Sequence, residues 1–60
     1  MILSKAYRLH FFQCGMLRLI EVIYAPSDKA AVEEAEWRAV FDDIEVFLES
    51  KLVRRVRAHA

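Results

Sequence analysis

The stretch from Tyr24 to Leu48 holds the strongest constraint in this chain. An apolar run halts at Pro26, Ser27 stands where a helix cap belongs, and an acidic segment follows. Proline near a first helical turn gives up a backbone N–H that has no helical partner there, and serine accepts from one of the free donors behind it. Beyond the break, Trp37, Val40, Phe41, Ile44, Phe47 and Leu48 recur at i, i+3, i+4, i+7 spacing. The spacing predicts one long helix from about Ser27 to Glu49, with that bulky stripe on the core. A second stripe of mostly small residues, Ala31, Val32, Ala35, Ala39 and Val46, falls roughly opposite. It is a water-facing run of helix formers, an interface, or the sign of a bend near Asp42 and Asp43, where Asp42 and Glu45 have capping-box spacing.

Upstream, Leu3, Tyr7, Leu9 and Phe11 alternate with Ser4, Arg8 and His10, the period of a half-buried strand over Leu3–Gln13. A helix from Ser4 onward is the competing assignment. Gln13-Cys14-Gly15-Met16 reads as a hairpin turn whose glycine is free to adopt positive φ. Leu17 to Ala25 is apolar on both sides, the mark of a central strand with at least one face covered. One of its two sets, Leu17, Leu19 and Ile23 around Glu21 or Ile20, Val22 and Tyr24, is then free for a partner. Lys51 to His59 is expected to return as a third strand beside the second, by a right-handed crossover. Continuation of the helix, with Leu48, Leu52 and Val56 on one stripe, is the alternative. The expected fold is α+β: ββαβ, a three-stranded sheet containing an antiparallel hairpin, one long helix on one face, and arginines on the other.

Sixty residues make one small domain, 1–60, of which 57% are apolar. A chain of this size buries only roughly 60% of its unfolded surface, so a protein partner or a homodimer is expected. The single cysteine, Cys14, excludes an intrachain disulfide and points to a reducing compartment. Lys5, Arg8 and Arg18 interrupt the N-terminal apolar stretch well short of a bilayer span, and no signal-peptide cleavage pattern follows. The cytoplasm is the expected location.

Chemistry-bearing clusters are few. Cys14, His10 and His59 are too scattered for metal-ligand spacing, and no glycine-rich phosphate loop is present. Cys14 with His10 lacks a third, orienting group, and Asp42 with Asp43 reads as a solvated helix face before it reads as an acid–base pair. No catalytic, cofactor or metal role is expected.

Charge is more informative. Net charge is zero, yet eight acids lie between Asp28 and Glu49 against Lys29 and Arg38, whereas the flanks hold seven basic residues and only Glu21. The expectation is an acidic helix and a basic sheet, each offered to another macromolecule at close range. Arg54, Arg55 and Arg57, with Arg8, His10 and Tyr7, would suit phosphates and bases, but zero net charge disfavours direct nucleic-acid binding. Arginines paired to a partner's carboxylates, or Glu33, Glu36, Asp42 and Asp43 imitating a nucleic acid, suit protein recognition better.

The run Tyr24-Ala25, Ser27, Ala31, Glu33, Ala35-Glu36-Trp37 resembles small phage host-takeover inhibitors of RNA polymerase, which carry Tyr-Ala, then Thr, Ala, Glu and Ala-Glu-Trp at the same spacing. Arg55-Val56-Arg57 is similar to an Arg-Val-Arg in their last strand. The likeness covers about half of the chain. It implies a non-enzymatic phage or mobile-element protein that binds and blocks a host nucleic-acid-handling complex in the bacterial cytoplasm. It also implies contacts from Arg55 and Arg57 and, beside them, Glu33 and Glu36. Anti-CRISPR proteins are similar in size and build. A homodimeric nucleic-acid-binding module using the arginine-rich last strand is the alternative.

Overall fold

A computed structural model describes residues 3–59. Strands β1 (Lys5–Gln13) and β2 (Met16–Ala25) form a hairpin, helix α1 (Asp28–Arg38) follows, and β3 (Asp43–Leu48) and β4 (Lys51–Val56) form a second hairpin. The four strands make one sheet in the order β2-β1-β3-β4, with every neighbouring pair antiparallel. β2 and β3 therefore run parallel to each other with β1 between them, and α1 is the crossover that connects them.

The α+β class with one helix on one sheet face is as the sequence predicts. The finer topology differs. Among the described residues there are four strands, not three. Leu17–Ala25 belongs to an edge strand, and β1 takes the central place. The final segment turns back through Glu49 and Ser50 to pair with β3, instead of crossing over to β2.

The first turn explains its hairpin. Cys14 (φ 53) and Gly15 (φ 77) both adopt positive φ, as the two-residue turns that match strand twist require. Ser27 caps α1 in extended conformation, and its hydroxyl accepts the Ala30 N–H at 3.2 Å.

The helix stops at Arg38, some ten residues early, which overturns the long-helix expectation. From Asp43 to Leu48 the operative period is two: Ile44 and Val46 are fully buried, while Glu45 and Phe47 point to the other side. The apparent helical spacing arose from joining the end of a helix to the start of a strand. The face that α1 buries is also reversed. Ala31, Ala35 and Ala39 are fully covered and Val32 nearly so, whereas Trp37 is 82% and Phe41 74% exposed. A flank of methyl groups brings the helix close to the sheet, where large side chains from the strands already fill the space.

Those strand residues are Tyr7, Leu9 and Phe11 of β1, Ile44 and Val46 of β3, and Val56 of β4. Each large apolar side chain removed from water contributes about 1.5–3 kcal/mol, so this layer supplies most of the fold's drive. No helix among the described residues covers the opposite sheet face. Among the described residues, no helix is long and apolar enough to cross a membrane.

Candidate functional site

Strand alternation decides what the open face displays. Register places Arg8, His10 and Phe12 of β1 beside Phe47, Glu45 and Asp43 of β3, with Arg55 of β4 opposite Glu45 and Leu52 opposite Phe47. On the other flank, Val22, Ile20 and Leu17 of β2 stand opposite Arg8, His10 and Phe12.

At its centre the His10 and Phe47 rings lie 4.6 Å apart between centroids, inclined by 39°. The Arg8 guanidinium sits 5.7 Å from the Phe47 centroid, within reach of the ring quadrupole, and donates to the Glu49 carbonyl. His10 Nε2 is buried without a hydrogen-bond partner. Toward β4, Arg55 Nε donates to Glu45 Oε2 at 3.0 Å, and Arg57 shares a hollow with Phe12, Gly15, Asp43, Glu45 and Arg55. The Arg55 side chain remains 56% exposed, so its pair with Glu45 leaves it open to a further acceptor.

The seven residues singled out from sequence are distributed over three places. Arg55 and Arg57 belong to the open face. Arg54, one position out of phase, lies on the helix side, in a groove with Asp28, Lys29, Val32, Glu33, Glu36 and Val53. This groove brings Arg54 to Glu33 and Glu36 and separates it from the other two arginines. Asp42 is nearly buried and bound by the Arg18 guanidinium, and Asp43 Oδ1 accepts the Ala58 N–H at 2.8 Å. Both aspartates lie outside the helix and serve contacts within the chain.

The expected sorting of charge by element is therefore corrected. The helix keeps Asp28, Glu33, Glu34 and Glu36, but Asp43 and Glu45 stand among the arginines of the sheet. Ion pairs join Arg18 to Asp42, Arg38 to Glu21 and Glu34, and Arg55 to Glu45. The two signs are interleaved.

Among the described residues no three histidine, cysteine or acidic side chains gather as metal ligands. Cys14 is exposed in its turn, His10 stacks on Phe47, and the His59 ring lies 3.0 Å from the Glu36 carbonyl on the helix side. Tyr7 is a strongly perturbed acid. Its hydrogen bond to Asp28, its burial and the adjacent negative charge push its pKa up to about 12. That phenol points into the helix–sheet junction rather than a cleft.

The sequence points to Arg8 and His10 as companions of the arginines but not to Phe47, whose spacing also fits a helical core stripe. The signal that would have found it is the alternation in Asp43-Ile44-Glu45-Val46-Phe47, which is that of a strand. Comparison of the chain with protein-family models, with curated proteins and with solved structures gave no match.

Proposed function

We propose that this chain is a non-enzymatic docking protein that engages another protein through the open sheet face on its β1, β3 and β4 side. The observation that carries the reading is the set of exposed arginines, Arg55, Arg57 and Arg8, around the half-buried rings of His10, Phe12 and Phe47. Arginine and aromatic side chains on a rigid, uncovered surface are what interface hot spots are made of. Asp43 and Glu45 interleave with the arginines and net charge is zero, a mixture suited to a protein surface that also carries both signs.

The narrower reading is a phage or mobile-element inhibitor that blocks a host nucleic-acid-handling complex, as an anti-CRISPR or an RNA polymerase inhibitor does. It rests on the resemblance in residues 24–37 and 55–57. A second reading has one observation in its favour: His10, Phe12 and Phe47 lie on the two central strands of an open sheet, where aromatic rings can stack on the bases of single-stranded nucleic acid.

Affinity capture from a bacterial lysate with the wild type and with Arg55→Glu/Arg57→Glu tests the first reading. Retention of a defined complex by the wild type and its loss in the variant is the expected result. Salt-sensitive binding of a labelled single-stranded RNA, lost in the same variant, with no protein retained, would favour the second.

A further inference from the structure

The two edges of the sheet differ in how they are guarded. β4 is six residues long, broken by a bulge at Val53, and studded with Lys51, Arg54 and Arg55, the devices that keep an exposed edge from pairing. β2 is ten residues long and has no lysine or proline within it. Its one irregularity, opposite Phe11 and Phe12, leaves Leu19–Ala25 in unbroken register. Both of its charged side chains are held by their own chain, Arg18 by Asp42 and Glu21 by Arg38. The exposed apolar surface collects here. Of the eleven large apolar side chains exposed among the described residues, six (Met16, Leu17, Leu19, Ile20, Val22 and Tyr24) lie on β2. Val40 and Phe41 add to the same flank, beside Arg18.

From this asymmetry we infer that β2 is a self-association edge, and that its occupant is β2 of a second copy, paired antiparallel across a two-fold axis into a continuous eight-stranded sheet. This surface is separate from the docking half of the open face. The pattern of the strand is complementary to itself. An antiparallel copy centred on Val22 sets Val22 against Val22, Ile20 of one copy against Tyr24 of the other, and Leu19 against Ala25. These are β-branched, aromatic and aliphatic cross-strand pairs. Glu21 then faces Ile23, so no like charges meet. Leu19–Ala25 alone offers a ladder roughly 23 Å long, at about 3.3 Å per residue.

Light scattering on the eluting protein tests this. At about 50 µM, well above a micromolar Kd, the wild type is expected at twice its 7.0 kDa monomer mass. Ile20→Lys/Val22→Lys is expected at monomer mass with an unchanged circular dichroism spectrum, while Leu52→Lys, on the far edge, stays dimeric. In a Cys14→Ser background, Val22→Cys should form a covalent dimer on mild oxidation, and Leu52→Cys should not. A wild type of monomer mass at every concentration would overturn the inference. So would a dimer indifferent to the β2 substitutions, or one lost only in Leu52→Lys. Loss of lysate capture in the Arg55/Arg57 variant, with the dimer intact, would bear on the docking reading alone.

Discussion

Tyr7, fully buried at the middle of the sheet, donates its phenolic O–H to Asp28 Oδ1 at 2.6 Å and so ties the first turn of α1 to β1. The carboxylate serves twice, since an acid in the first turn also suits the positive end of the helix dipole. The contact holds the ribbon between β2 and β3 down on the core.

Removing only the hydroxyl isolates that contact. Tyr7→Phe is expected to destabilise the fold by about 1.5 kcal/mol, the lower end for a hydrogen bond to a charged group, because the acid left behind is exposed to water. The pH dependence follows from the same bond. The pKa of Tyr7 is raised from 10.0 to about 12 by folding, so its contribution is complete below the unfolded value and is lost as pH climbs through the folded one. Urea melts at pH 8 and 11 should show a steeper alkaline loss for the wild type than for Tyr7→Phe. Equal losses would remove the contact from the account.

Arg18 and Asp42 form an unequal pair, and their substitutions should differ. The aspartate side chain is 6% exposed and the arginine 53%. Arg18→Ala leaves a buried carboxylate without its cation and is expected to cost about 2–3 kcal/mol. Asp42→Ala leaves a guanidinium that water can reach and is expected to cost about 1 kcal/mol. Chemical denaturation of both variants checks the order, and the reverse order would contradict this burial.

The alanine flank of α1 predicts which helix substitutions matter. Ala35→Leu forces bulk between helix and sheet and should destabilise by about 1–3 kcal/mol. Trp37→Ala, at the most exposed large apolar side chain among the described residues, should change stability by no more than about 0.5 kcal/mol. Thermal melts of the two decide between this packing and one with the bulky stripe inside.

Cys14 occupies the left-handed region ahead of Gly15, a place where asparagine is favoured. Cys14→Asn creates the preferred dipeptide of such a turn and should stabilise by about 0.5–1 kcal/mol. A lower melting temperature would show that the turn relies on the cysteine in some other way.

The first hairpin, the Ser27 cap and the helix start were legible because each has a local signal: alternation, a glycine at positive φ, a serine accepting three residues on. The end of α1 was not. Ala39-Val40-Phe41-Asp42 contains neither glycine nor proline, and what stops the helix there is non-local. Arg18 holds Asp42 from another strand, and His59 N–H takes the Ala39 carbonyl at 2.9 Å. The strand order was hidden for a related reason. Leu17–Ala25 looks central because it is apolar on both sides, but one of those sides faces solvent. Of the candidate site, Arg55, Arg57, Arg8 and His10 are legible from residue type and alternation, while Phe47 joins them only through the β1–β3 register.

That register has a kinetic consequence. Each hairpin closes over a two-residue turn and can form early, in microseconds, without the rest of the chain. The seam between them cannot, because Leu9 meets Val46 only after α1 has carried the chain back across the sheet. Bringing those distant residues together costs loop-closure entropy before any contact repays it. Refolding is therefore timed by the zippering of β1 onto β3. Shaving Leu9 or Val46 should slow it, whereas trimming Leu52 at the far edge should chiefly hasten unfolding.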